Sequence, residues 1–358
     1  MPGTPGGYTA PARIRVRAWR AGRCRDDVTP THPDTPYADL GPDAVLDAIE
    51  GTGLRCDGRL LQLNSFENRV YRVGLDDGGR CVAKFYRPGR WSDAAILEEH
   101  GFTLELAARE IPVVAPLRFG GQTLLRHAGH RFALFDCQGG RAPELEDEQT
   151  LERIGRFLGR IHAVGADAGY AHRAPLDVQS FGFESRDLLL GGDWIPPELL
   201  AAWSSVADQA LQGVQQAWQR AAGVRTLRVH ADCHVGNLLW TEDGPHFVDF
   251  DDTRCAPAVQ DLWMLLSGDA QDMRRQLDVL LRGYEMFREF DRRELHLVEA
   301  LRTLRLLHYS AWIARRWHDP AFPAAFPFFG SARYWQDRVL ELREQVALMQ
   351  EPPLLAGF

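Results

Sequence analysis

The densest cluster of polar residues in this chain lies among three short apolar runs, and this arrangement constrains the fold more than any other feature. The runs Leu227–Val229, Leu238–Trp240 and His246–Val248 are typical of short strands. His230–Asn237 lies between the first two runs, and Asp249–Asp252 follows the third. Apolar residues recur at helical spacing on both sides, so the sequence predicts a mainly helical region whose polar loops lie on a small β-structure.

Three residues of this cluster have a spacing that indicates phosphoryl transfer. Asp232 is followed by Asn237 five residues later and by Asp249 twelve residues beyond that, as in kinases. Asp232 is the predicted acceptor of the proton from the attacking hydroxyl, so Asp232 and Asp249 are the predicted catalytic carboxylates. Mg²⁺ prefers oxygen ligands, so Asn237 and Asp249 are the predicted metal ligands, with Asp251 as a weaker second candidate. The predicted co-substrate is ATP.

Two other chemistries remain open on the same residues. His230, Asp232 and His234 form a short cluster that zinc hydrolases also use, with Asp249 as a fourth ligand, although a further histidine cluster is not obvious. The pair Asp249 and Asp251 resembles an aspartyl-phosphate phosphatase motif, but that chemistry requires a downstream lysine, which the chain lacks. We therefore favour the kinase interpretation.

Lys84 is the only lysine among 41 basic residues; the other 40 are arginines. It lies in Cys81–Phe85, a predicted strand that follows the hairpin signal Asp76–Gly79, as the phosphate-binding lysine of kinases does. A carboxylate from the next helix holds such a lysine. Glu98 and Glu99 are the candidates.

We expect this carboxylate to be Glu99, because it shares a helical stripe with Phe102 and Leu106 and should face inward. The remaining nucleotide contacts are predicted from two segments. Backbone N–H groups with Ser65 and Asn68 would meet phosphate, although no Gly-rich loop is present there. Adenine is expected at Phe135 and Cys137.

The predicted fold is α+β, a two-lobed protein-kinase-like fold with a small antiparallel sheet in the N-terminal lobe and a larger, mostly helical C-terminal lobe. Residues 1–35 are predicted to be a disordered Arg-rich tail, 36–138 the ATP-binding lobe, and 139–358 the catalytic and substrate lobe. Helices are predicted at Pro42–Glu50, Ser92–Ala108 and six later segments (about 151–161, 197–221, 258–267, 272–289, 292–317 and 332–349), and further strands at Leu60–Leu63, Arg69–Leu75, Arg80–Phe85, Gln122–Leu125 and Arg131–Phe135.

The phosphate acceptor is predicted to bind to the helical lobe. Asp261 lies only twelve positions after Asp249, which leaves too few residues for a long peptide-clamping segment. Asp261 is either a helix cap or a brace of the polar loop. An aromatic and basic stretch is a candidate wall of the acceptor site, although helix packing explains it equally well: Tyr309, Trp312, Arg315, Arg316, Trp317 and His318.

Composition restricts the partners and the compartment. No run of about 18 apolar residues is present, so no membrane partner is predicted. Six cysteines without CxxC spacing are typical of a reducing cytoplasm. The net charge of −8 gives no general attraction to nucleic acid.

The polar cluster resembles that of the aminoglycoside phosphotransferase and choline kinase superfamily, in the segments His230–Asn237 and Val248–Asp252. Five further stretches resemble the stress response kinase A family of bacteria: Leu63–Tyr71, Ala83–Trp91, Ile96–His100, Pro257–Leu266 and Trp317–Pro323. The resemblance covers about residues 31–358. It implies a cytoplasmic, monomeric Ser/Thr protein kinase that responds to stress and carries phosphate itself. It also implies Asp232 and Asp249 as active-site carboxylates, Asn237 and Asp249 as Mg²⁺ ligands, and Ser65 as an ATP contact. The alternative is a kinase for a hydroxylated or amino metabolite, similar to those for homoserine, choline or aminoglycosides.

One residue departs from the superfamily pattern. Ala231 replaces the usual glycine before Asp232. If this position requires a positive φ, the methyl group costs roughly 1 kcal/mol. We expect slower chemistry at worst.

Overall fold

The computed structural model describes residues 36–354. The tail predicted for residues 1–35 lies outside the described part, as do residues 355–358. Among the described residues, no helix is long and apolar enough to cross a membrane. The first helix, α1 (Pro42–Glu50), has the predicted bounds.

An antiparallel sheet of five strands follows α1, in the spatial order β1-β2-β3-β5-β4. Its strands are β1 (Cys56–Gln62), β2 (Arg69–Leu75), β3 (Arg80–Phe85), β4 (Leu125–His127) and β5 (His130–Asp136). Lys84 lies on the central strand β3, where it pairs with Val70 of β2 and Ala133 of β5. Because strands flank it on both sides, the backbone of Lys84 is fixed within the sheet.

Strands β2 and β3 have the predicted bounds, whereas the predictions for β1 and β4 are wrong at their ends. β1 begins at Cys56 rather than Leu60, and its register shifts between these two residues. Most β1 side chains are exposed, so no alternation of buried and exposed residues marks the strand in the sequence. β4 begins at Leu125, because Gln122 instead closes a turn with Phe119.

Helix α2 (Asp93–Ala108) begins where the sequence predicts. Ser92 caps it by accepting a hydrogen bond from Ala95 N at 3.1 Å. Its buried face carries apolar residues such as Ile96 together with the charged Glu99. A buried carboxylate requires a partner, and α2 therefore presents Glu99 toward the sheet and the loops beyond it.

The remainder of the described chain is mainly helical. Its helices are α3 (Glu148–Gly165), α4 (Glu184–Leu190), α5 (Pro197–Arg220), α6 (Val259–Trp263), α7 (Ala270–Tyr284), α8 (Val298–Arg316), α9 (Ala321–Ala325) and α10 (Ala332–Leu348). The sequence did not predict α4 or α9, both of which are short. The predicted helix at 292–317 begins instead with a 3₁₀ turn, Arg292–Leu297.

Helices α3 and α7 pack closely through glycines. A methyl group on Gly155 or Gly159 would overlap the backbone carbonyl oxygens of Leu280 and Tyr284. The absence of side chains thus permits the two backbones to approach each other. This contact fixes the relative positions of His162 on α3 and Tyr284 on α7.

Two small antiparallel pairs support the polar loops: β6 (Leu227–Val229) with β9 (Arg254–Ala256), and β7 (Leu238–Thr241) with β8 (Gly244–Phe247). The sequence did not predict β9, which has three residues and begins with a buried arginine. The predicted α+β class, a small antiparallel sheet followed by a larger helical part, is confirmed. The lobe boundary at residues 138 and 139 stays a prediction.

Candidate active site

The loop formed by His230–Asn237, called the 230–237 loop below, is anchored by Asp261 on α6. The Asp261 carboxylate accepts hydrogen bonds from the backbone N–H groups of His230 and Ala231, both at 2.7 Å. Ala231 has φ +69°, so the left-handed conformation considered for this position is present. Asp261 therefore braces the loop rather than capping a helix.

Asp261 is itself held by a buried histidine. His162 Nε2 lies 2.9 Å from the Asp261 carboxylate, and His162 Nδ1 lies 3.0 Å from the Tyr284 hydroxyl. All three side chains are fully buried. Because buried polar groups are costly to leave unpaired, this chain of contacts gives the 230–237 loop one well-defined position.

His230 stabilises the 230–237 loop through hydrogen bonds of both ring nitrogens. Its Nε2 donates to the Val248 carbonyl at 2.8 Å, and its Nδ1 accepts from Asp232 N at 3.3 Å. Both nitrogens are thus engaged with backbone groups, which argues against His230 as a zinc ligand. The contact with Val248 joins the 230–237 loop to the segment that carries Asp249.

The Asp232 carboxylate contacts two basic side chains. Arg305 of α8 donates to Asp232 Oδ1 at 2.7 Å, and His234 Nε2 lies 3.5 Å from Oδ2. Burial favours the neutral acid, but the hydrogen bond from His234 and the charge of Arg305 outweigh it, so the pKa of Asp232 lies well below its ordinary value. Asp232 is therefore ionised at neutral pH.

Lys84 lies among three carboxylates. Its Nζ is 3.5 Å from Glu99, 3.1 Å from Asp249 and 3.1 Å from Asp251. Burial alone would lower the pKa of Lys84, but these three negative charges hold it well above its ordinary value. Glu98, the alternative partner, instead accepts backbone hydrogen bonds from Ala171 and His172.

Asp249 and Asp251 differ in exposure, although both contact Lys84. The Asp249 side chain is 55% exposed, whereas that of Asp251 is 5% exposed. Asp251 also forms an ion pair with Arg90 and accepts a hydrogen bond from Asn68 Nδ2 at 3.1 Å. Asp249 is thus the carboxylate that faces the cavity, and Asp251 serves as an internal counter-charge.

A cavity of about 330 Å³ lies against Lys84. Of the predicted nucleotide and metal residues, it is lined by Ser65, Lys84, Glu99, Phe135, Asn237 and Asp249. Asn68 and Cys137 are not among the lining residues. Asn68 is buried, and its amide joins the Asp251 carboxylate to Arg87 N, while Asp136 and Gln138 form the wall beside Phe135.

The donor atoms at one end of this cavity fit a hard cation. Asn237 Nδ2 donates to the Asp232 carbonyl at 2.9 Å, so the amide oxygen is the polar atom that remains for a ligand. The backbone of Asp249 has φ +59°, so this residue departs from the extended conformation of a strand. Among the described residues, no group of three or more His, Cys, Asp or Glu side chains is arranged to hold a metal ion. One amide and one carboxylate suit Mg²⁺, which retains waters and binds substrate phosphates.

A second cavity, of about 420 Å³, is lined by Asp232 and by residues of α8, and is called the α8 cavity below. Tyr309, Trp312, Arg315 and Arg316 line it, as the sequence suggested. Trp317 instead packs against Trp194 and Phe329, and His318 is exposed. The first four residues of the aromatic and basic stretch thus form a cavity wall, as one interpretation predicted, whereas Trp317 serves helix packing, as the other did.

Several arginines of the site were not predicted. Arg173 donates to Glu99 at 3.2 Å and to the backbone carbonyls of Asp251 and Thr253, so it joins α2 to the segment after Asp249. Arg305 contacts Asp232. Among 40 arginines, composition cannot distinguish these two. Arg305 could have been found from its helical spacing to Tyr309 and Trp312 (i+4, i+7), whereas Arg173 has no local signal.

Comparison with known proteins identifies the family. A model described as "Phosphotransferase enzyme family" matches residues 59–298, about two thirds of the chain. The chain belongs to the phosphotransferase enzyme family. Stress response kinase A of Escherichia coli (strain K12) is 46% identical over 318 residues, which cover 89% of this chain and 96% of that protein. Serine/threonine protein kinase RdoA of Salmonella typhimurium (strain LT2) is 45% identical over the same shares.

Known structures of this phosphotransferase fold agree with the architecture. An amicoumacin kinase in complex with AMP-PNP, Ca²⁺ and Ami has a TM-score of 0.66 at 19% identity, and the match covers 88% of this chain and 96% of that one. A microcompartment-associated aminopropanol kinase has a TM-score of 0.61 at 18% identity, with 86% and 96% covered. The fold is therefore kinase-like. The family model and the relatives named as kinases show that the chain is an ATP-dependent kinase.

Proposed function

We propose that this chain is a Ser/Thr protein kinase that transfers the γ-phosphoryl group of ATP to a hydroxyl group, with Asp232 as the base. The observation that carries the proposal is the position of the 230–237 loop between the two cavities. Asn237 lines the cavity beside Lys84, while the carboxylate of Asp232 lines the α8 cavity. One of the two relatives described above is named a serine/threonine protein kinase.

The cavity beside Lys84 is the proposed ATP site. Lys84 would contact the phosphates, and its ion pair with Glu99 would hold it in place. Ser65, in the turn after β1, would contact phosphate, and Phe135 would pack against adenine. Burial of Lys84 strengthens its attraction to phosphate, because little water screens the charge.

Asn237 and Asp249 are the proposed ligands of Mg²⁺. The amicoumacin kinase structure contains an ATP analogue and Ca²⁺, which supports a nucleotide and a divalent cation in this fold. When bound, Mg²⁺ would neutralise phosphate charge. The residues of the chain would position it: Lys84 fixes Asp249 at 3.1 Å, and the 230–237 loop fixes the amide of Asn237.

The proposed reaction is a direct displacement. The acceptor oxygen forms a bond to the γ-phosphorus while the bond to the β,γ-bridging oxygen breaks, and ADP leaves with that electron pair. The hydroxyl proton passes to Asp232. A carboxylate of low pKa suits this role, since the transition state is loose and the acceptor proton leaves late. The main task of Asp232 is thus to orient the hydroxyl.

We also propose the biological setting that the family resemblance implies. The chain would act as a cytoplasmic monomer in a stress response, and would add phosphate slowly to itself. The printed name of the Escherichia coli relative, stress response kinase A, supports the link to stress.

Labelled ATP provides the test. The full chain is incubated with Mg²⁺, [γ-³²P]ATP and a generic protein such as casein, and intact mass is recorded. We expect phosphate on Ser or Thr residues of casein or of the chain, far less transfer in Asp232→Asn, and none after chelation. Turnover only with an added hydroxylated or amino metabolite would replace the protein kinase proposal with the small-molecule alternative.

A further inference from the structure

The α8 cavity differs in charge from the rest of the molecule. Although the chain has a net charge of −8, the cavity is lined by more arginines than carboxylates. Its charged lining residues are Arg90, Arg254, Arg305, Arg315 and Arg316 against Glu67, Asp232 and Asp252. An excess of positive charge in a cleft raises the local concentration of anionic ligands.

Four of these five arginines are neutralised by nearby carboxylates. Arg90 and Arg254 pair with Asp252, at 2.7 and 3.2 Å, and Arg305 pairs with Asp232. Arg316 pairs with Glu67 at 3.0 Å. Glu67 is held in turn by Trp312 Nε1 at 2.5 Å, so this pair forms a fixed end of the cavity.

Arg315 is the exception. Within residues 36–354, no hydrogen bond or ion pair joins its guanidinium to another side chain, and Glu184 acts on it only at longer range. Burial and the neighbouring charge of Arg316 lower the pKa of Arg315. A half-buried cation beside a second cation is unfavourable, and an anionic ligand would relieve it. The planar guanidinium suits carboxylate or phosphate.

The position of Arg315 on α8 sets a distance from the reacting hydroxyl. Arg305, His308, Tyr309, Trp312 and Arg315 recur at helical spacing, so they form one face of α8 along the cavity. Arg305 contacts Asp232 at one end of this face. Ten residues at about 1.5 Å each place Arg315 roughly 15 Å farther along. An extended peptide covers this distance in about three to five residues, allowing for the reach of the side chain.

Between these ends the wall is aromatic. Tyr309 stacks on Trp312 with centroids 5.8 Å apart, and His308 stacks on Phe181 at 4.1 Å. Burial and the nearby Arg254 and Arg315 lower the pKa of His308 to about 3, so it adds no positive charge at neutral pH. This middle section therefore suits uncharged residues of an acceptor peptide. The positive charge available to a ligand lies at the Arg315 end of the cavity.

We propose that the α8 cavity selects acceptor peptides with an anionic residue about three to five positions from the phosphorylated Ser or Thr, recognised by Arg315. This inference rests on the proposed protein kinase activity. Carboxylate and phosphate share the required chemistry, so a Glu peptide and a phosphothreonine peptide distinguish the two sources. Arg315 acts as a specificity residue.

The test uses the full chain, Mg-ATP and peptides with one central Ser in a neutral background. Each carries Glu, phosphothreonine, Gln or Lys at one position three to five residues before or after the Ser. A charge-assisted hydrogen bond is worth about 1.5–3 kcal/mol, so kcat/KM for the best Glu or phosphothreonine peptide should exceed that of its Gln twin by roughly 10- to 100-fold, with Lys the poorest. Equal kcat/KM for the Glu, phosphothreonine, Gln and Lys peptides at every position would overturn the inference and leave the protein kinase proposal intact.

Variants assign the preference to Arg315. In Arg315→Gln the ratio of Glu to Gln kcat/KM should fall close to one, and in Arg315→Glu the Lys peptide should become preferred. Arg343→Gln, an exposed arginine on α10, should keep the wild-type ratio. A ratio unchanged in Arg315→Gln would overturn the assignment. Phosphorylation of no peptide, with turnover of a metabolite, would instead refute the protein kinase proposal itself.

Discussion

Arg305 donates a 2.7 Å hydrogen bond to Oδ1 of Asp232, so an arginine from the acceptor side holds the proposed base. The Arg305 side chain is 47% exposed, whereas that of Asp232 is 24% exposed. Arg305 can therefore move when an acceptor enters, while Asp232 stays with the 230–237 loop. The same contact helps to keep Asp232 ionised, and it lies where the proposed reaction would place the acceptor hydroxyl.

Removal of Arg305 should change the pH dependence of the reaction. The pKa of Asp232 is depressed in the folded protein, so activity that needs the carboxylate is present above that pKa and is lost as pH falls through it. Arg305→Gln removes a positive charge that lowers the pKa of Asp232. The acidic limb of the kcat/KM profile should therefore move to higher pH. The pH profile of Arg343→Gln serves as the control; an unshifted limb in Arg305→Gln would show that Arg305 does not tune Asp232.

Lys84 should contribute to stability as well as to nucleotide binding. Lys84→Met would remove the cation that Glu99 and Asp251 share, but Arg173 would still pair with Glu99 and Arg90 with Asp251. The cost should therefore be about 1–3 kcal/mol, below that of a buried charge left without any partner. We expect urea unfolding at pH 7 to show a loss of this order, and the loss to shrink at acidic pH as the carboxylates protonate. Arg343→Met removes an exposed cation and should change stability little. A loss below about 1 kcal/mol for Lys84→Met would contradict the neutralising role.

The alanine at position 231 should carry a small conformational cost. At φ +69°, the β-carbon of Ala231 costs the folded protein roughly 1–2 kcal/mol. Glycine avoids this cost, but its greater freedom in the unfolded chain lowers the stability of the folded protein by about 0.4–1 kcal/mol. Ala231→Gly should therefore be neutral or stabilising by up to about 1.6 kcal/mol, with kcat changed only slightly. Ala201→Gly in α5 is the matched control and should destabilise by about 0.5–1 kcal/mol. Equal destabilisation by both changes would exclude strain at Ala231.

The brace at Asp261 should affect turnover more than ATP binding. Asp261→Asn replaces one acceptor oxygen by a donor, which then faces a backbone N–H of the 230–237 loop. We expect a stability loss of about 1–3 kcal/mol and a fall in kcat of up to about 100-fold through misplacement of Asp232, with little change in KM for ATP. Asp272→Asn at the start of α7 should lower stability without this fall in kcat. Equal effects on kcat from both variants would argue against the brace.

The sequence predicted the elements and residues whose signals are local. β2 and β3 were predicted from a hairpin turn. Asp232, Asn237 and Asp249 were chosen for their spacing, and their catalytic and metal-binding roles stay predictions. Lys84, the single lysine, and Glu99, chosen from its helical stripe, form the expected ion pair in the structure. Strands β4 and β9 are three residues long and, unlike the equally short β6, were not recognised as apolar runs, while the exposed β1 shows no periodic pattern.

The parts that sequence reasoning missed depend on long-range contacts. Asn68 was expected at phosphate, but its partner Asp251 lies 183 residues away, and the amide is used there. Arg173 is 74 residues from Glu99, and Arg305 is 73 residues from Asp232. Such pairs are determined by how the two halves of the chain pack, so spacing along the sequence cannot reveal them.

The most direct test of the account is the turnover of Asp232→Asn with a fixed Ser peptide and saturating Mg-ATP. We expect kcat to fall by about 10²–10⁴, the usual range for a lost general base, while KM for ATP and the wild-type far-UV circular dichroism spectrum are retained. Wild-type kcat in Asp232→Asn would contradict the assignment of Asp232 as the base.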